Sequence, residues 1–124
     1  MPILDRQHRH LIIAIPLAGG SPANMLGNCD TVAIFQVDPQ SKRVLYESVH
    51  EAPPHEPGQL PLRLDQLGID VVLTNQMGKM AQDLFEQKGI AVVLNVRSNT
   101  PAEIVSDFLE GKLSGVAKPL HGHC

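Results

Sequence analysis

Residues 53–78, PPHEPGQLPLRLDQLGIDVVLTNQMG, decide the fold, because a loop, a helix, a buried strand and a second loop follow one another without a break. Leu60, Leu64 and Leu67 fall at i, i+4 and i+7, one apolar stripe of a helix. Gly68 stands where that helix should stop, since glycine takes the left-handed cap conformation without steric cost. Ile69, Val71, Val72 and Leu73 then make an apolar run too short for a helix and rich in β-branched residues. Such a run suits a central strand covered on both faces. Asn75 to Gly78 opens a loop at the C-terminal end of that strand, and a further helix pattern begins at once. In open α/β sheets ligands bind at this edge, among loops and helix N-termini. The loop Pro53–Gly58 places His55 and Glu56 just before the first helix. A site is therefore expected near these two loops.

The rest of the chain fits around that unit. Residues 10–16, HLIIAIP, read as a first, central strand, and 17–30, LAGGSPANMLGNCD, as a long irregular loop short of apolar anchors. A loop of this length in a small domain is functional or mobile. Residues 31–38 and 43–49 read as a β-hairpin around the turn PQSK. After the central unit come a helix over 79–88 closed by Gly89, a buried strand over 90–95, and a last helix closed by Gly111. That last helix opens on Thr100-Pro101-Ala102-Glu103, with Thr as N-cap, Pro at N1 and Glu completing a capping box. The order is β-β-β-α-β-α-β-α. It predicts an α/β fold: one domain, a mixed five-stranded sheet, helices on its faces and right-handed crossovers between the parallel strands. Residues 1–10 read as a polar lead-in, 11–113 as the domain, and 114–124 as an irregular tail bearing Cys and His.

Composition narrows the function. The 124 residues carry 10 Lys plus Arg against 13 Asp plus Glu, a net charge of −3, with aromatics at 3% and no Trp. Neither charge nor stacking surface favours nucleic acid. No apolar run approaches the roughly 18 residues of a membrane span. A secretory leader is not apparent at the start. Two cysteines, Cys29 and Cys124, make no disulfide framework. The expectation is a cytoplasmic protein with reduced thiols.

Phosphate-loop, dinucleotide and nucleophile-elbow motifs are missing. Soft and borderline metal ligands instead gather in loops: Cys29 in the first, His50 and His55 before the first helix, and His121, His123 and Cys124 at the end. Thiolate and imidazole serve Zn, Cu and Fe–S sites. Met25, Met77 and Met80 add thioethers, with Met80 also a candidate for the core. Gly78, at a helix N-terminus, offers backbone N–H groups to an anion. The bland alternatives stay open: Cys29 as a small semi-buried residue, His50 as a polar strand end and the tail as a disordered terminus.

Several segments together resemble the dinitrogenase iron–molybdenum cofactor biosynthesis proteins. They are IIAIP at 12–16, GNCDTVAIFQVD at 27–38, PHEPGQLP at 54–61, GIDVVLTNQMG at 68–78, LFEQKGIAVVL at 84–94 and EGKL at 110–113. The resemblance covers about residues 11–113. It implies a ribonuclease-H-like α/β layer and a non-enzymatic role in carrying or inserting a metal–sulfur cluster of iron, molybdenum or both, with a cofactor-assembly protein as a possible partner. Together with the ligand reading above, the candidate cofactor contacts are Cys29, His55, Met77 and Gly78. Relatives commonly have His-Phe-Gly-Arg where this chain has Met25-Leu26-Gly27-Asn28, which shifts the ligands the resemblance implies onto Cys29, His55 and the tail; with His50 from the ligand reading, the candidate metal ligands are Cys29, His50, His55, His121, His123 and Cys124. A metal-free interaction or regulatory module on the same scaffold is the alternative. A small hydrolase is weaker still, because the carboxylates do not fall into a converging set.

Overall fold

The structure, a computed structural model, describes residues 10–54, 56, 58–96 and 100–113. Their elements are β1 (Leu11–Ala18), β2 (Ser21–Pro22), β3 (Thr31–Asp38), β4 (Arg43–Glu51), α1 (Gln59–Gln66), β5 (Val71–Leu73), α2 (Lys79–Gln87), β6 (Ala91–Val93) and α3 (Pro101–Leu109). They form one mixed α/β domain. The sheet has the order β4-β3-β1-β5-β6, with β2 paired to β1 at its side. β1, β5 and β6 run parallel, and β3 and β4 continue the sheet antiparallel. The expected parallel set and hairpin edge are both present, and β5 is internal. The expected count of five strands is corrected to six, because Gly19 and Gly20, both at positive φ, fold Ser21–Pro22 back onto Leu17–Ala18. Glycine is the residue that takes such a turn cheaply.

The alternation of the strands divides the core in two. Ile13, Ile15, Leu17, Phe35, Val71 and Leu73 point to the face covered by Ile104 and Val105 of α3. Ala14, Val32, Ile34, Val72 and Val92 point to the other, covered by Leu64 of α1 and Phe85 of α2. β5 is buried on both faces, as its unbroken apolar sequence requires. Asp70 locks β5 to β1: its carboxylate accepts from the Ile12 N–H at 2.9 Å, and its own N–H donates to the Ile12 carbonyl at 2.8 Å. The leucine stripe of α1 packs into the core as predicted, and Gly68 follows at φ 77. Among the described residues no helix is long and apolar enough to cross a membrane.

The first long loop differs from its expectation. Ala23, Leu26 and Cys29 are all buried, so the segment does have apolar anchors. Their i, i+3, i+6 spacing is helical, but the run from Gly19 to Pro22 before them and the shortness of the turn at Leu26–Asn28 hide it from a pattern search.

Candidate functional site

Three loops and two helix starts meet at the C-terminal edge of the parallel strands. β1 and β5 both end there, and the loops that leave them are tied together by hydrogen bonds. The Leu26 N–H donates to the Gln76 carbonyl at 2.9 Å, and the Asn75 side-chain amide donates to the Ala23 carbonyl at 3.1 Å. Asp30 binds this unit to the third loop. Its N–H donates to the Leu17 carbonyl at 2.8 Å, its carboxylate accepts from the Gly19 N–H at 3.1 Å, and its carbonyl accepts from the Ala52 N–H at 3.1 Å. The chain entering Pro53–Pro54 is thus held beside Cys29.

Between these loops lies an open cavity of about 440 Å³, within the range of small-ligand sites. Met25, Leu26, Gly27 and Cys29 supply one wall, and Ala52, Pro53, Pro54 and Glu56 a second. The first turns of the two helices close it, with Gly58, Leu60 and Pro61 from α1 and Gly78, Met80 and Ala81 from α2, backed by Leu84. Neither helix has a side-chain N-cap hydrogen bond or an acidic residue in its first turn. The first turn of α2 therefore keeps free N–H groups at the cavity rim, whereas in α1 the Gln59 N–H is given to the Glu56 carbonyl at 3.1 Å and Pro61 has none. Gly58 takes φ 83, which turns the chain from the proline-rich loop into α1. The only charged side chain among the described lining residues is Glu56. Arg63 lies instead in a polar depression of about 410 Å³ that shares Ala52 and Pro53 with the cavity.

Cys29 is 1% exposed. Burial, reinforced by the Asp30 carboxylate next to it, pushes its thiol pKa above the ordinary 9.0. The side chain is therefore a neutral thiol at neutral pH. That is the reverse of the shift a nucleophilic cysteine shows.

The structure brings together some of the expected site residues and separates others. Cys29 and Gly78 line the same cavity, as do Pro54 and Glu56 on either side of His55, while His55 itself lies outside the described residues. His121, His123 and Cys124 also lie outside them. Met77 and His50 lie apart from that cavity. Met77 is 7% exposed and packs in the core beneath α1 and α2 rather than on the cavity wall. His50 sits on edge strand β4 opposite Val32, its Nε2 3.0 Å from the Ser48 hydroxyl, and does not line the cavity. Among the described residues no group of three or more His, Cys, Asp and Glu side chains could hold a metal ion. Residues missed from sequence are Asp30, which anchors the loops, and the apolar wall of Ala52, Pro53, Leu60 and Ala81. A single aspartate in a loop carries no pattern, and the wall is assembled from segments distant in sequence.

The fold is shared with several solved structures. PH0822 superposes with a TM-score of 0.75 at 22% identity, over 91% of this chain and 100% of that one. The apo form of the orange protein from Desulfovibrio gigas gives 0.72 at 19% identity, over 89% and 96%. A protein from Methanocaldococcus jannaschii gives 0.71 at 16% identity, over 89% and 98%. At such identities the likeness establishes the fold alone. No protein of curated function matches the sequence significantly. The family model described as "Dinitrogenase iron-molybdenum cofactor" matches residues 9–111, nearly the whole described domain, and the chain belongs to that family.

Proposed function

We propose that this protein binds and carries a metal or metal–sulfur cluster as cargo, in the cavity between Cys29, the Pro53–Gly58 loop and the starts of α1 and α2, without transforming it. The observation that carries this reading is the cavity itself: it stands at the ligand edge of the sheet and gathers sulfur and apolar side chains from three loops. Family membership supports cofactor-related binding. The donor types fit such cargo, since thiol and thioether are the soft ligands that metal–sulfur chemistry recruits. A volume of about 440 Å³ gives room for a group of several atoms rather than a single buried ion.

A carrier role, in preference to an enzymatic one, is supported by the chemistry of the walls. They are almost wholly apolar, and the one thiol has its pKa raised. Catalysis by a thiol needs the opposite. The reading extends to a reduced cytoplasmic setting, to a cofactor-assembly protein that loads or unloads the cargo, and to a ribonuclease-H-like layer. The last is supported by an antiparallel β4-β3-β1 side continued by two parallel strands.

The test is metal analysis and absorption spectroscopy of protein purified anaerobically from its own host, for the natural sequence and for Cys29→Ala/His55→Ala. We expect metal, with charge-transfer absorption, in the natural protein and its loss in the double variant, with far-UV circular dichroism unchanged. Equal metal content in both would remove this cavity as the cargo site.

A further inference from the structure

We propose that this protein docks an extended, basic segment of a partner protein, which adds to the sheet along edge strand β4 and crosses the polar depression to set an apolar side chain in the cavity. The inference goes beyond the cargo reading and does not depend on it. It starts from the apolar surface that the fold leaves uncovered. Seven large apolar side chains are exposed among the described residues. Val44, Leu45, Tyr46 and Val49 stand on β4, Tyr46 at 65% and Val49 at 63% exposure. Leu62 borders the polar depression, and Met25 and Met80 border the cavity. These three places form one strip. Glu51, the last residue of β4, lines the depression beside Ala52 and Pro53, and Ala52 and Pro53 also line the cavity. Contiguous exposed apolar surface of this kind marks a contact site.

β4 ends the sheet, and among the described residues no strand pairs with its outer side. Such an edge offers a row of N–H and C=O groups to a further strand. The register shift between Gln36 and Val37 leaves Leu45 without a facing residue in β3, while 46–51 keep a regular register. The bulge thus guards one end of the strand and confines an added strand to 46–51. Charge then selects the occupant. Glu47 and Glu51 are exposed on the same side of the sheet as Val49, and 46–51 contain no Lys or Arg. An incoming strand is best matched with a basic residue opposite each glutamate and an apolar one between them. A second copy of β4 would bring the same two carboxylates, on a chain whose net charge is −3, so self-pairing is disfavoured. Beyond Glu51, Arg63 and the carboxamides of Gln59 and Gln66 line the depression and supply hydrogen bonds to a crossing backbone. The almost wholly apolar cavity next to it suits an apolar side chain.

The probe is the fluorescein-labelled synthetic peptide LSSKTVTKT, titrated with the full chain after chelator treatment. Laid antiparallel to β4, its two lysines fall opposite Glu51 and Glu47, its valine opposite Val49, and its leucine leads past Ala52 and Pro53 to the cavity. We expect saturable binding, with amide hydrogen exchange slowed over 46–51. Glu47→Lys/Glu51→Lys should weaken binding by about tenfold, and a peptide with both lysines changed to glutamate should regain the affinity on that variant. Both residues are exposed, so far-UV circular dichroism should not change. Replacing the peptide's leucine by alanine should cost about fivefold on the natural chain and less on Met25→Ser/Met80→Ser, whose cavity rim has lost its apolar side chains. No binding at millimolar peptide overturns the proposal, as does absence of the charge-swap rescue. A leucine-to-alanine change without effect on the natural chain overturns the path into the cavity. A dimer of the chain alone, with its β4 amides protected before peptide is added, gives the edge to a second copy and overturns it too. Because the protein is stripped of metal, none of these outcomes bears on the cargo reading.

Discussion

Cys29 illustrates how one position can hold two properties in tension. Its side chain is buried, 1% exposed, yet it borders the cavity. Burial and the neighbouring Asp30 raise its pKa, so the folded state holds the thiol proton more tightly than the unfolded chain does. The sign of the linkage follows. Stability from this group is fully present below the unfolded pKa, near 9.0, and declines as pH rises above it, where the unfolded chain ionises first. We expect urea unfolding to show a loss of up to about 1.4 kcal/mol per pH unit above pH 9 from this residue. The readout is the difference in slope between the natural protein and Cys29→Ala, because lysine and tyrosine titrate in both. Identical slopes would mean that the thiol is not held in a protonating environment. A metal bound at this thiol would reverse the preference, since only the thiolate is a ligand.

Among the elements, α3 is the one whose boundaries are most fully written into its own residues. The Thr100 hydroxyl accepts from the Glu103 N–H at 3.2 Å, and the Glu103 carboxylate accepts from the Thr100 N–H at 3.4 Å, which completes the capping box. Pro101 occupies the first turn, where a missing N–H costs nothing. Ile104 and Val105 are fully buried against β1 and β5, so α3 is the sole described helix on its face of the sheet. Thr100→Ala should therefore lower global stability by about 1 kcal/mol, with no effect on metal affinity, because the helix lies on the face opposite α1 and α2. A change in metal or cluster binding in that variant would show that the two faces are coupled. β4 behaves differently: Val44, Leu45, Tyr46 and Val49 are exposed along the sheet edge, and a register shift between Gln36 and Val37 bends the pairing with β3. A bulge of this kind is one way an edge strand avoids further pairing.

For the whole molecule, the decisive point is that the site has no element of its own. It exists where the loops after β1 and β5 meet the loop before α1. Asn75 holds much of that junction. Its side-chain amide donates to the carbonyl of the fully buried Ala23, and its main-chain carbonyl accepts from the Asn95 N–H at 3.0 Å. Asn75→Ala would strip a buried carbonyl of this donor, a loss worth about 1–3 kcal/mol. We expect a matching fall in stability by denaturant unfolding and a weaker hold on cargo, since the Met25–Cys29 wall would loosen against the Gly78–Ala81 wall. Full stability in Asn75→Ala would place the junction elsewhere.

By itself the sequence determined the elements and their direction. The apolar run 69–73, the leucine stripe of α1, the glycines at 68, 89 and 111 and the Thr100 box are local signals, each set by the conformation of a few neighbouring residues. They were enough to read the parallel strands, the hairpin edge and the end of the sheet that carries the cavity. Cys29 and Gly78 were legible for the same reason, as residues at that end. Only the tertiary structure decided that Ser21–Pro22 adds a strand, that Met77 turns into the core while Met25 and Met80 face the cavity, and that His50 stays on the edge strand. Those outcomes depend on contacts between segments separated by tens of residues. A methionine at 77 or at 80 has the same local preferences, and what separates them is which one the packed helices and loops leave room for.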